Sequence, residues 1–193
     1  MTSAPHPITT ELILGGQKSG KSRRAENLAQ QWLLQSPAHS AWLLATGQAY
    51  DAEMQARIER HQRDRAARVP GLATLEVPLD LASALRVRSR PDCLLVIDCL
   101  TMWLTNWMMP MSAHAPGAQS WSAQAEAFIE ALAQAPGPVV IVGNEIGLGV
   151  IPLGSEVRAF VDALGVLNQR VAAACSHATL MCAGLPLALK GTI

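Results

Sequence analysis

Glu11-Leu12-Ile13-Leu14-Gly15-Gly16-Gln17-Lys18-Ser19-Gly20-Lys21-Ser22 is the stretch on which the fold turns. A short, mostly apolar run enters a loop of the form GxxxxGK[ST], and Arg23-Arg24-Ala25-Glu26-Asn27-Leu28-Ala29 leaves it as a helix. Strand, glycine-rich loop and helix in that order make a cradle for phosphate. Glycines let backbone N–H groups curl round an anion, and the helix N-terminus adds partial positive charge. Lys21 reaches the terminal phosphates and Ser22 offers a hydroxyl to Mg2+. Gly15, Gly16, Gln17, Lys18, Ser19, Gly20, Lys21 and Ser22 are therefore candidate nucleotide-binding residues. Lys21 is also a catalytic candidate, and Ser22 a ligand candidate for Mg2+.

Outward from the loop, short apolar runs recur at 11–14, 41–45, 93–97, 139–142 and 178–183, and Ala73-Thr74-Leu75-Glu76-Val77 offers one more. Runs of this length and composition read as buried strands of a parallel sheet. Amphipathic stretches between them predict helices at about 21–35, 51–67, 79–88, 121–134 and 156–175, stopped by Pro and Gly at the joints. The rhythm is that of an α/β fold, a mainly parallel sheet flanked by helices. Residues 103–117, WLTNWMMPMSAHAPG, resist assignment. Their Trp and Met residues suit either a core helix or an exposed apolar face that meets a subunit or a large ligand.

The chain has 193 residues, half of them apolar, enough for one sizeable core. A single domain over 11–193 is expected, preceded by an N-terminal extension over 1–10. Fifteen Lys plus Arg balance fifteen Asp plus Glu, so a nucleic-acid or anionic-lipid partner is not expected and a small molecule is. The basic residues are unevenly spread. The only lysines are Lys18, Lys21 and Lys190, and five of the twelve arginines fall between Arg57 and Arg68. The opening MTSAPHPITT has neither the basic cluster nor the apolar core of a leader or membrane anchor, which predicts a cytoplasmic protein with no membrane span. Cys93, Cys99, Cys175 and Cys182 form no CxxC pair and read as core thiols of a reducing compartment.

A phosphate loop needs an acidic partner on a second strand, and Cys93-Leu94-Leu95-Val96-Ile97-Asp98 supplies one. Asp98 is a candidate Mg2+ ligand, directly or through water. An Asp ending a strand also serves as a plain cap or turn residue. Asp51 to Arg68 has helix-favouring residues and sets Arg57 and His61 one turn apart, with Asp64 and Arg65 on the next turn. A neutral imidazole has a ring nitrogen free to attack phosphorus, and neighbouring arginines can stabilise phosphoryl oxygens. From spacing alone, however, His61 reads first as a solvated histidine of a charged helix. Gly143-Asn144-Glu145-Ile146-Gly147 leaves the strand Val139–Val142 at the sheet edge where α/β proteins bind ligands, and its role stays open between substrate contact and tight turn.

Taken together, four blocks resemble one family, the bifunctional adenosylcobinamide kinase / adenosylcobinamide-phosphate guanylyltransferases. They are LILGGQKSGKSRRAE, LLATGQAYDAEMQARIERHQRDR, LLVIDCLTMWLTN, and VGNEIGLGVIP with FVDALGVLNQRVAAA, and the likeness runs from about Leu12 to Lys190. The resemblance implies a P-loop NTPase fold of the RecA-like kind. It implies that the histidine of RIxxH, here His61, becomes covalently guanylylated. It implies a nucleotide site made of the loop, Thr46-Gly47-Gln48, the residues after the histidine (Gln62, Arg63, Asp64 and Arg65), and the acidic positions Glu76 and Asp98. The substrates implied are adenosylcobinamide and its phosphate together with ATP and GTP, with Mg2+ as cofactor, in a homo-oligomer. The loop has Gln17-Lys18 where relatives often carry Ala-Arg, and Lys18 keeps the positive charge. Competing readings are a small-molecule kinase without the guanylyl step and a non-catalytic P-loop regulatory protein. The open apolar surface that a corrinoid needs is placed at Trp103 to Met111.

Overall fold

The computed structural model describes residues 10–49, 51–110 and 121–192. In chain order the elements are β1 (Thr10–Gly15), α1 (Lys21–Gln35), β2 (Ser40–Ala45), α2 (Ala52–Arg68), β3 (Leu72–Glu76), α3 (Leu81–Arg88) and β4 (Cys93–Asp98). There follow α4 (Leu100–Met108), α5 (Trp121–Ala133), β5 (Val139–Val142), α6 (Ser155–Ala174), β6 (His177–Cys182) and β7 (Leu185–Lys190). The sheet has seven strands in the order β3-β2-β4-β5-β1-β6-β7, all parallel except the β6–β7 pair. This is the α/β architecture that the alternation of apolar runs and amphipathic stretches predicts.

Alternation along each strand splits the core in two. Leu12, Leu14, Leu95, Ile97, Val139 and Ile141 face one side, where they pack with residues of α3, α4, α5 and α6, among them Trp103, Phe128 and Leu164. Ile13, Leu94, Val96, Val140 and Val142 face the other, against Ala25 and Ala29 of α1 and against Val69. Runs that are apolar at every position are what burial on both faces requires.

Two elements escape the apolar pattern. In β7 every residue is exposed and Pro186 reads against a strand, yet an edge strand tolerates proline because one side of its backbone is unpaired. The turn joining it to β6 holds Ala183 at φ 51 and Gly184 at φ 81, the left-handed pair of a two-residue hairpin. The other is α4, the first part of the ambiguous 103–117 segment. It is a core helix, with Trp103 and Leu104 fully buried and the Trp103 indole donating to Leu79 O at 2.7 Å. The rest of that segment from Met111, and the expected extension up to residue 9, lie outside the described residues.

Candidate active site

Strand register brings the chemistry to one end of the sheet. Ala45 lies beside both Glu76 and Asp98, Asp98 beside Val142, and Val142 beside Ile13. The carboxyl ends of β3, β2, β4, β5 and β1 thus sit in a row, with the phosphate loop among them.

The loop, Gly15 to Ser22, is braced on two sides. Glu145 N donates to Gly15 O at 3.2 Å, and Gly184 N of the β6–β7 turn donates to Ser19 O at 3.0 Å. Gly15, at φ 148, has to be glycine: a Cβ there would stand 2.4 Å from Met181 O and 2.7 Å from Ser19 Oγ. Gly20, at φ 104, turns the chain into α1, where Arg24 N takes up Gly20 O at 3.0 Å. Lys21 is buried at the first position of α1, and its ammonium donates to Gly16 O at 2.6 Å. Burial pulls its pKa below 10.5, while Cys99 and Asp98 pull the other way. Ser19 Oγ is buried and has no hydrogen-bond partner among the described residues.

Asp98 ends β4 half-buried, and Ser22 Oγ donates to its Oδ2 at 3.2 Å. Burial raises its pKa above 3.8, and the Arg65 guanidinium, the Ser22 hydrogen bond and the His61 imidazole work against that rise. Asp51 begins α2 as its cap, Oδ1 accepting from Met54 N at 2.7 Å, with Glu53 in the first turn and Arg65 and Arg68 in the last, the arrangement a helix dipole favours. His61 is exposed one turn before the buried Arg65, on the same helix face. Arg65 is directed inward, Nη1 donating to Thr74 Oγ1 at 3.3 Å and Nε 3.9 Å from Glu26. Gln62, Arg63 and Asp64 are exposed beside His61.

Of the other expected residues, Thr46 is fully buried. Its hydroxyl donates to Cys99 O at 2.7 Å and accepts from Cys99 N at 2.8 Å, and its carbonyl accepts from Asn106 Nδ2 at 2.8 Å. Its side chain holds the end of β4 in place. Gly47 and Gln48 follow it half-buried, and Glu76 is exposed at the end of β3. Asn144 is fixed by its backbone, its N–H donating to Thr101 Oγ1 at 3.0 Å and its carbonyl accepting from Asn168 Nδ2 at 3.0 Å.

The apolar surface expected at Trp103–Met111 is small: of its described Trp, Leu and Met residues Met109 alone is exposed, at 44 %, and Met111 lies outside the described residues. Trp103 is 1 % exposed, and Trp107 and Met108 pack partly buried against the same core, because the apolar face of α4 is turned inward. Exposed apolar side chains lie instead in the loop after β5, where Leu148, Val150 and Leu153 are 82 %, 96 % and 98 % exposed. Sequence reading also passed over Glu26, which is buried on α1 and takes both ends of the Arg68 guanidinium at 2.7 and 3.0 Å. A signal was there: 22, 25, 26 and 29 form the inward stripe of a helix, and an acidic residue on such a stripe needs a partner.

A braced GxxxxGKS loop at the head of a helix, with an acidic strand end against its serine, defines a P-loop protein that binds a nucleoside triphosphate. The fold is shared by the flagellar accessory protein FlaH of Methanocaldococcus jannaschii, at TM-score 0.53 and 12% identity over 95% of this chain and 79% of that one. The chain belongs to the cobinamide kinase / cobinamide phosphate guanyltransferase family, whose pattern matches residues 11–189. It is 44% identical over 181 residues to the bifunctional adenosylcobalamin biosynthesis protein CobP of Pseudomonas aeruginosa, covering 94% of this chain and 97% of that protein. It is 32% identical over 187 residues to CobU of Salmonella typhimurium, which carries the same description, covering 93% and 98%.

Proposed function

We propose that one domain, residues 11–193, phosphorylates adenosylcobinamide from a nucleoside triphosphate, ATP or GTP. It then transfers GMP from GTP through a guanylyl-histidine at His61, giving adenosylcobinamide-GDP. The observation that carries this reading is the braced phosphate loop with Ser22 Oγ on Asp98 Oδ2 at 3.2 Å, in a chain that matches the bifunctional family over residues 11–189. One nucleotide site thereby serves two chemistries.

In the first reaction the substrate hydroxyl attacks the γ-phosphorus, and the bond to the β-phosphate oxygen breaks. The loop N–H groups and the Lys21 ammonium receive the charge on the phosphates. In the second, a ring nitrogen of His61 attacks the α-phosphorus of GTP and pyrophosphate leaves. An oxygen of adenosylcobinamide phosphate then attacks that phosphorus, the P–N bond breaks, and His61 is released. Covalent catalysis splits one displacement between two anions into two steps that each have a better partner.

Gly47, Gln48, Gln62, Arg63, Asp64 and Glu76 complete the nucleotide site in this reading, and Arg65 and Thr46 hold its walls. Ser22 and Asp98 would hold Mg2+, since their hydroxyl and carboxylate oxygens converge and are the hard donors it favours. An ion held there would take its other ligands from phosphate and water. Bound there, the ion would neutralise charge on the phosphate oxygens. The exposed apolar loop after β5 and the exposed Leu185, Leu187 and Leu189 of β7 support a homo-oligomer and an apolar contact for the corrinoid. No helix among the described residues is long and apolar enough to cross a membrane.

Incubation with α-labelled GTP tests the reading. Wild-type protein should take up acid-labile, alkali-stable label and His61→Ala should take none, while still phosphorylating adenosylcobinamide. Label on the His61→Ala protein sinks the assignment.

A further inference from the structure

α2 carries His61 and has little hydrophobic anchorage, its Met54 and Ile58 being half-buried. None of its described residues belongs to either apolar core cluster, and Val69, which does, lies just beyond its C-terminal end. The helix meets the body of the protein through charge. Arg68 grips both oxygens of Glu26, Nε to Oε2 at 2.7 Å and Nη2 to Oε1 at 3.0 Å, and Arg65 Nε stands 3.9 Å from Oε1. Glu26 is itself 4 % exposed on α1, the helix whose first residue is Lys21. Arg65 then lies between two acids, Glu26 and Asp98, with its Nη1 on Thr74 of β3.

We infer that Glu26 is the positioning residue of the guanylyl-transfer step: by holding Arg68 and Arg65 it fixes the face of α2 that presents His61 to the nucleotide on the loop. This deepens the function proposed above and rests on it. The two guanidiniums enter the same helix one and two turns after His61, so a loss of their anchor moves the imidazole before it moves the loop. The loop has its own braces, from Glu145 N and Gly184 N, and neither passes through Glu26. A carboxylate is needed because a neutral side chain at 26 cannot balance the buried Arg65 or hold the exposed Arg68 to α1, and a buried charge left without its partner is expelled toward water.

Glu26→Gln keeps the shape and removes the charge. In this variant the formation of guanylyl-His61 from α-labelled GTP should slow by about a hundredfold, the scale of a reacting group displaced by roughly 1 Å, and phosphorylation should slow far less. Arg68→Gln should reproduce the split, and the double variant should cost little more than either single one, because both remove the same contact. Amide hydrogen exchange of the whole protein should accelerate over 52–68 and hold steady over 21–35. A parallel fall in both reactions, or labelling at the wild-type rate, overturns the positioning role. Unchanged exchange in α2 overturns it as well. If wild-type protein takes no label while Glu26→Gln still loosens α2, the guanylyl reading fails and the clamp stands.

Discussion

The phosphate loop and the helix that carries His61 are held by different forces. Backbone hydrogen bonds brace the loop from the β5 loop and from the β6–β7 turn, over strands whose side chains fill both cores. The helix α2 is held chiefly by side chains, its arginines on a buried glutamate and on Thr74, with an aspartate cap and its own dipole. Directional backbone bonds tolerate little displacement. Ion pairs between long side chains permit more, so the placement of α2 hangs on the buried carboxylate that receives them.

Lys21 is where the largest effect is expected, because loop and helix draw on the same triphosphate there. Lys21→Ala should slow both phosphorylation and guanylylation by on the order of a hundred- to a thousandfold, the loss usual for one charge-stabilising donor. Parallel assays with adenosylcobinamide and with α-labelled GTP check this. Guanylylation at the full rate would mean that His61 draws on a second nucleotide site, and that loop and helix do not share a task.

Asp98 carries a burial cost on its charge, which the Arg65 guanidinium, the Ser22 hydrogen bond and the His61 imidazole offset in part. Its raised pKa means that between 3.8 and its folded value the native state keeps a proton that the unfolded chain has released, so stability falls as pH rises through that window. Lys21 is the mirror case. Its lowered pKa means that below 10.5 the unfolded chain binds the extra proton, so stability rises with pH over that window. Activity needs the opposite states, ionised Asp98 and charged Lys21. The pH–rate profile should therefore have its acid limb above 3.8 and its alkaline limb below 10.5. Asp98→Asn should lower both activities on the order of a hundredfold and yet raise the melting temperature, by an amount equivalent to about 1 kcal/mol. A variant that loses both activity and stability would show that Asp98 holds the fold and that its charge costs nothing.

How much of this was legible in sequence follows from the same contrast. The loop was, because GxxxxGKS is a local backbone requirement: Gly15 and Gly20 sit at φ 148 and 104, and no other residue type suits the first of them. So were the strands, since burial on both faces leaves unbroken apolar runs. His61 had no such local signature, and composition read alone left it as a surface histidine until the block resemblance singled it out. Glu26 was missed because its partners lie 39 and 42 positions on, beyond any periodicity of α1. Trp103 misled because an indole on a short helix looks alike whether it faces core or solvent. Nothing local in Leu185-Pro186-Leu187 marks the edge strand β7, which forms because β6 offers it a free side.

Gly15→Ala tests the brace itself. The added methyl would stand 2.4 Å from Met181 O, a backbone atom of the β1 neighbour β6, so the loop or the strand must shift. A loss of about 2 kcal/mol is expected, a fall of roughly 4–8 °C in melting temperature, with both reactions impaired alike. If guanylylation alone suffered, the loop would be serving the helix and not both reactions.

The smallest effect is expected at the turn that reaches the loop from behind. Ala183 sits at φ 51 between β6 and Gly184, a left-handed conformation that costs an alanine about 1 kcal/mol and that asparagine tolerates better. Ala183→Asn should relieve part of that, raising the melting temperature by about 1–3 °C. Phosphorylation and guanylylation should both stay at wild-type rates, because the contact to the loop is the Gly184 N–H on Ser19 O, which involves no side chain of the turn. Ala183→Val should move the melting temperature the other way, since a β-branched residue adopts this conformation least readily. A change in guanylylation alone in either variant would mean that strain in this turn reaches His61, and that the brace on the loop and the clamp on α2 form one device.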